Sequence, residues 1–284
     1  MGHLGMAILN PGDVVLLPDP GYPVFEAGSY LGGAEVYYYP LLRENNFLPV
    51  IEDIPEDVLN KTKYIVLSYP SNPVGASAPK EMYVRMIEYA KKYNFAIIND
   101  NAYSDIIFDG REGFSFLSLP GAKDVGVEFF SLSKSYNVTG LRISFCIGNK
   151  SIIDAFKLLR SQYDFGMSYP AQKAAIAALR GPRDSVKAQC AEYQRRRDAL
   201  LNGLRKYGWN VPDSHGTMFV WLPVPEGYTS ASFTEALMDK AGVIGTPGTA
   251  FGPLGEGYIR FALTKSAEEL AVIADVIGQS GVLS

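Results

Sequence analysis

Short apolar runs that end in turn residues alternate with stretches of helical periodicity along most of this chain, and no other feature restricts its fold as much. Val14-Val15-Leu16-Leu17 stops at Pro18-Asp19-Pro20-Gly21, and Tyr64-Ile65-Val66-Leu67-Ser68 runs to Pro70-Ser71-Asn72-Pro73. Phe95-Ala96-Ile97-Ile98 leads directly into Asn99-Asp100-Asn101. Residues 35–39 are β-branched and aromatic, and 128–133 and 142–147 read as two more strands. Between strands, Met82, Met86, Ile87 and Ala90 recur at helical spacing within 80–93. Continuous apolar strands separated by helices suit a mainly parallel central sheet with helices on both faces, so an α/β fold is expected.

The last third changes character. A helical region from about 170 to 207, broken at Gly181-Pro182, precedes a strand (218–222), a helix (231–241), a strand (258–262) and a helix (267–277). This α+β pattern predicts a large domain over 1–181 and a smaller C-terminal domain over 182–284. The opening, Met1-Gly2-His3-Leu4-Gly5, lacks the basic start and longer apolar core of a signal peptide and reads as part of a domain helix.

Composition narrows the function classes. The 284 residues are 47% hydrophobic and 20% charged with a net charge of −4, an ordinary globular balance. The densest basic cluster, Arg195-Arg196-Arg197, falls within an amphipathic pattern and is expected on a solvated face, so nucleic acid is not an expected partner. No apolar stretch reaches the roughly 18 residues of a membrane span. Two distant cysteines, Cys146 and Cys190, exclude a disulfide framework and fit a reducing, cytoplasmic location. Two scattered histidines do not suggest zinc.

Ligands of doubly wound sheets collect where strands end, and polar residues at those ends are the informative ones. Asn72, Asp100, Tyr103, Ser131, Ser133 and Lys134 all follow apolar runs closely. A lysine placed there can be partly desolvated, as a Schiff-base amine must be to lose its proton near neutral pH. An aspartate at another strand end can pair with a protonated ring nitrogen, although a helix N-cap is also open to it.

Ser131-Leu132-Ser133-Lys134 followed by Gly140-Leu141-Arg142 resembles the signature of class I/II aminotransferases, the fold-type I pyridoxal-phosphate enzymes of the aspartate-aminotransferase superfamily. The resemblance extends through Pro20-Gly21-Tyr22-Pro23, Ser71-Asn72-Pro73-Val74-Gly75, Asp100-Asn101-Ala102-Tyr103 and Tyr258-Ile259-Arg260-Phe261, in family order over nearly the whole chain. It implies that Lys134 holds pyridoxal 5′-phosphate and shuttles a proton, and that Asp100 pairs with the ring nitrogen. Tyr103 and Asn72 would hydrogen-bond the cofactor's phenolic oxygen, with Asn72 also near substrate, and Tyr22 would stack on the ring. Ser131, Ser133 and Arg142 would hold the phosphate, though Arg142 also reads as a solvated strand-end charge. Arg260 would clamp the substrate α-carboxylate; it interrupts an apolar strand, where an unpaired buried charge is costly. Thr246-Pro247-Gly248-Thr249-Ala250-Phe251-Gly252 resembles an active-site loop and equally reads as simple turn chemistry.

The implied reaction moves an amino group between an amino acid and a 2-oxo acid, in a homodimer. Asp164-Phe165-Gly166-Met167 with Tyr169-Pro170-Ala171-Gln172-Lys173 resembles the branch containing LL-diaminopimelate aminotransferases and related alanine- or aspartate-using enzymes. A β-lyase or decarboxylase of the same fold would use the same cofactor ligands. Relatives carry a further N-terminal portion that supplies phosphate-binding backbone amides, and by resemblance this sequence opens inside the helix that follows it. A shortened, inactive dimer subunit is therefore the alternative outside catalysis.

Overall fold

The computed structural model describes residues 1–283. The central sheet contains β1 (Val14–Asp19), β2 (Glu35–Pro40), β3 (Thr62–Ser68), β4 (Ala96–Asp100), β5 (Gly126–Ser131) and β6 (Ser144–Gly148). Their spatial order is β2-β1-β3-β4-β5-β6, with β1 to β5 parallel and β6 antiparallel to β5. The expected α/β fold is what the chain adopts, with helices on both faces of a mainly parallel sheet.

The strand sequences account for the layers. Every residue of β1 is buried, whereas the edge strand β2 is largely exposed or half-buried. Because side chains alternate along a strand, Leu16, Ile65, Leu67 and Ile97 enter one core with Tyr83, Met86 and Phe116. Leu17, Val66, Ile98 and Val127 enter the opposite one with Leu4 and Phe25. The second core sits under helices Gly2–Ile8, Val24–Gly32 and Lys150–Tyr163. Gly5 permits the first two to cross closely: a Cβ on it would lie 1.9 Å from the Gly28 carbonyl oxygen.

A second sheet follows, with β7 (Phe219–Pro223), β8 (Thr246–Pro247) and β9 (Tyr258–Ala262) in the order β7-β9-β8, all antiparallel. It packs with helices Asp184–Lys206, Ser230–Ala241 and Ala267–Gln279 around Leu200, Leu204, Trp209, Phe233 and Ile277. Helix Ala267–Gln279 starts in a capping box formed by Ser266 and Glu269. The core around this sheet also takes in Tyr103, Ile106 and Phe108 from the connection after β4.

Three sequence expectations change. The strand expected over 128–133 ends at Ser131, because the Ser131 side chain accepts from the Ser133 amide at 3.2 Å and starts the short helix Leu132–Ser135. The strand expected from 142 begins at Ser144, after Arg142 adopts φ +51. Arg197 lies not on a solvated face but buried at 5% exposure, over the ring of Phe108 and bidentate to Asp109 at 2.7 and 2.8 Å. It also donates to Asp198 and to the Ser214 carbonyl.

Asp109→Ala removes one carboxylate from this buried guanidinium and is expected to cost about 1–3 kcal/mol, read as a lower urea midpoint at unchanged m. The Arg197 hydrogen bond holds the Asp109 carboxyl below its usual range. A depressed carboxyl stabilises fully above the unfolded pKa of about 3.9, and the contribution is lost as pH falls through the lower folded value. Wild type and variant should therefore converge in stability at acid pH.

Candidate functional site

The chain runs from β1 to β2 on one side and then to β3 on the other side of β1, so the order reverses between β1 and β3. Ligands bind outside the carboxyl ends of strands at such a reversal. Tyr22 follows the end of β1 there and Asn72 follows the end of β3. Asp100 is the last residue of β4 and Tyr103 lies just beyond; Ser131 is the last residue of β5, followed by Ser133 and Lys134. β4 and β5 pair through Asp100 and Phe129, bringing Asp100 to the strand end that carries Lys134.

Lys134 is half-buried in the turn of helix Leu132–Ser135. Burial, helped by the nearby Arg142 charge, pushes its ammonium pKa down. Gln189, on helix Asp184–Lys206, donates to the Lys134 carbonyl oxygen. Ser133 is buried beside it. Arg142 is exposed and donates to the Thr139 carbonyl at 3.0 Å, with its remaining donors open to solvent.

Burial pushes the Asp100 carboxyl up to about 6, opposed in part by the Met1 ammonium. Its side chain makes no hydrogen bond or ion pair among the described residues, and no helix begins there, so the N-cap reading falls away. Tyr103 is 6% exposed and its hydroxyl is raised by burial and then by Asp100. Tyr22 is exposed, packed edge-on to Phe25 at 6.0 Å.

From the second sheet, Arg260 donates through Nη1 to Asn72 Oδ1 at 2.8 Å. Its Nε is buried without a partner and it forms no ion pair. Burial lowers its pKa while Tyr103 and Tyr22 oppose that shift, so these rings lie within electrostatic reach of the guanidinium. Asn72 is buried and precedes a cis bond to Pro73, so its carboxamide serves the second sheet in addition to forming a turn. The structure thus brings Tyr22, Asn72, Asp100, Tyr103 and Arg260 together, and groups Ser131, Ser133, Lys134 and Arg142 at the neighbouring strand end.

These residues fit pyridoxal phosphate. A desolvated carboxyl without a donor suits a protonated ring nitrogen, a desolvated amine suits covalent attachment, and serines with an open guanidinium suit a phosphate. A cavity of about 520 Å³ lies elsewhere, beside Tyr69, Arg111 and His215. A smaller one of about 270 Å³ opens beside Tyr22, with Asp19, Glu26 and Phe251 in its walls.

Sequence reasoning missed Gln189 and Phe219, and left Phe251 between two readings. Phe251 stands in the 246–252 loop and its ring packs against the Arg260 guanidinium, 4.5 Å from the guanidinium carbon. No short-range pattern marks Gln189, whose partner is 55 residues away. Neither cysteine acts as a ready nucleophile: burial pushes the Cys146 thiol up to about 12 and raises Cys190.

The family model for aminotransferase class I and II matches residues 2–277. The chain is 51% identical over 270 residues to the LL-diaminopimelate aminotransferase of Dehalococcoides mccartyi strain 195, a match covering 95% of this chain and 70% of that protein. It is 43% identical over 277 residues to that of Aquifex aeolicus, covering 98% and 72%. Among solved structures, substrate-bound BacF from Bacillus subtilis is 36% identical with a TM-score of 0.95, over 99% of this chain and 72% of that one. The probable N-succinyldiaminopimelate aminotransferase of Thermus thermophilus is 32% identical with a TM-score of 0.92, over 98% and 74%.

Proposed function

We propose a specific reaction for a chain that belongs to the class I and II aminotransferases: transfer of an amino group from LL-diaminopimelate to a 2-oxo acid, with pyridoxal phosphate held on Lys134. Membership makes the protein an enzyme that moves amino groups between amino acids and 2-oxo acids, and the family uses pyridoxal phosphate. The β-lyase and decarboxylase readings are not favoured, since the curated relatives reported above are aminotransferases. The observation that carries the site assignment is the guanidinium of Arg260, without an ion pair, across the same strand ends as the desolvated amine of Lys134.

Bound pyridoxal phosphate supplies an electron sink for the pair left when the substrate α-carbon loses its proton. The residues of this chain do the rest. Lys134 Nζ, with its pKa lowered by burial, would take the α-proton and return it to the carbon on the other side of the transferred nitrogen. The carboxylate of Asp100 would accept a hydrogen bond from the protonated ring nitrogen and hold the proton there. Arg260 binds the substrate α-carboxylate while Asn72 orients the guanidinium. Tyr103 and Asn72 would donate to the cofactor's phenolic oxygen, Tyr22 would cover the ring, and Ser131, Ser133 and Arg142 would hold the phosphate.

The substrate assignment draws on the names of the relatives together with the 164–175 segment. A kinetic panel tests it: with a 2-oxo acid acceptor, kcat/KM for LL-diaminopimelate should exceed that for alanine or aromatic amino acids by about 100-fold or more, as sites that hydrogen-bond a polar group can achieve. Preference for alanine or an aromatic amino acid would remove it.

The reading includes two domains divided between 181 and 182, and a cytoplasmic homodimer. Among the described residues no helix is long and apolar enough to cross a membrane. Supporting the dimer, Leu158, Tyr163, Phe165, Tyr169, Ile176 and Leu179 are exposed on or between consecutive helices. Exposed apolar side chains along such helices support the dimer reading.

A further inference from the structure

An arginine inside a strand ordinarily finds a carboxylate. Arg260 does not; it lies between two aromatic faces. Its guanidinium carbon is 4.0 Å from the centre of the Phe219 ring and 4.5 Å from that of Phe251. Both distances are well inside the roughly 6 Å over which a ring face attracts a cation. We propose that Phe219 and Phe251 are positioning residues that clamp the Arg260 guanidinium between their faces in place of a counter-ion, leaving its N–H donors for a substrate carboxylate. The inference rests on the reading of Arg260 as the carboxylate-binding group.

The register of the small sheet explains the arrangement. Arg260 on β9 faces Trp221 on β7, so Phe219, two residues along β7, is its diagonal neighbour on the same face of the sheet. Phe219 is steadied by Tyr103, edge-on at 6.3 Å. Phe251 arrives from the loop after β8, edge-on to Trp221 at 5.8 Å. Its backbone carbonyl accepts from the Gly21 amide at 2.8 Å, one residue before Tyr22. Asp19 accepts from the Leu254 amide at 3.1 Å, which pins the same loop to the end of β1. The second ring is thus anchored to the central sheet and the first to its own.

The chemistry explains why rings serve better than a carboxylate. A carboxylate would take two of the five guanidinium donors in a fork and compete with the incoming substrate group. A ring face stabilises the charge without accepting a directed hydrogen bond in the guanidinium plane. Asn72 takes one donor through Nη1, and burial lowers the pKa of the group, as expected for a cation held without a counter-ion.

Two carbonyl reagents that differ by a carboxylate give the test. Aminooxyacetate carries one and methoxyamine does not, and each forms an oxime with the bound cofactor by displacing the Lys134 amine, which is followed by absorbance. In the holoenzyme, F219L and F251L should slow aminooxyacetate about 3- to 30-fold, the range of a cation–π contact, and leave methoxyamine within about twofold. Calorimetric binding of succinate should weaken by the same factor. F219Y and F251Y keep a ring face and should restore both readings. Equal slowing of both reagents, or no slowing of either, overturns the clamp. Arg260→Lys separates the two failures: if it leaves the ratio of the reagents unchanged, the carboxylate role of Arg260 itself is wrong.

Discussion

Lys134→Ala is expected to lower kcat by at least ~10⁴-fold, the upper range for removing a general base. The variant also loses the amine that binds the cofactor covalently. The half-buried side chain makes no hydrogen bond among the described residues, so the fold and its urea midpoint should change little. Borohydride reduction of the holoenzyme, followed by peptide mapping, should place the cofactor mass on the peptide holding Lys134 in wild type and on none in the variant. Added methylamine should restore part of the lost rate by acting as a free base. A variant that retains more than a tenth of wild-type kcat would remove Lys134 from its role.

The second large effect concerns Asp100. Asp100→Asn keeps the shape of the side chain and removes its charge. Truncating one partner of a buried, hydrogen-bonded charge pair costs about 2–5 kcal/mol, which on the barrier corresponds to roughly 30- to 5,000-fold in kcat. The sign for stability differs between the two forms. Without cofactor, burial raises the carboxyl pKa to about 6, so ionised Asp100 costs stability as pH rises past the unfolded value near 3.9, and the cost is fully developed above about 6. The Asn variant of the cofactor-free protein should therefore match or exceed wild type in thermal midpoint at pH 8. The holoenzyme should show the reverse order. A kcat within threefold of wild type would remove the ring-nitrogen partner from this residue.

The central sheet was legible because β1, β3 and β4 are buried on both faces and so appear as unbroken apolar runs. The polar residues at strand ends, Asn72 after β3, Asp100 closing β4 and Lys134 after β5, stood out for the same reason: each follows an apolar run closely. Helix Lys150–Tyr163 was not read, although it has an apolar face; it contributes only half-buried side chains to the core. Arg197 was misread because an arginine triplet gives no local sign of which side chain meets a carboxylate 88 residues earlier. The same limit hid the surroundings of Arg260. Phe219 lies in a strand that was expected, but its role depends on the diagonal pairing of two strands separated by a helix and a loop.

The hydrogen bond from Arg260 to Asn72 joins residues 188 apart in sequence. At the usual 5–20 residues per second of synthesis, Asn72 waits roughly 10–40 s before its partner is made. The central sheet, complete by Gly148, has its strands in hand long before that and can form first. Binding competence is then a late event in the history of each molecule, set by the arrival of β9 and its loop. A chain ended before Tyr258 would have its lysine and aspartate already at the strand ends of the central sheet, yet with nothing to recognise the acid end of a substrate.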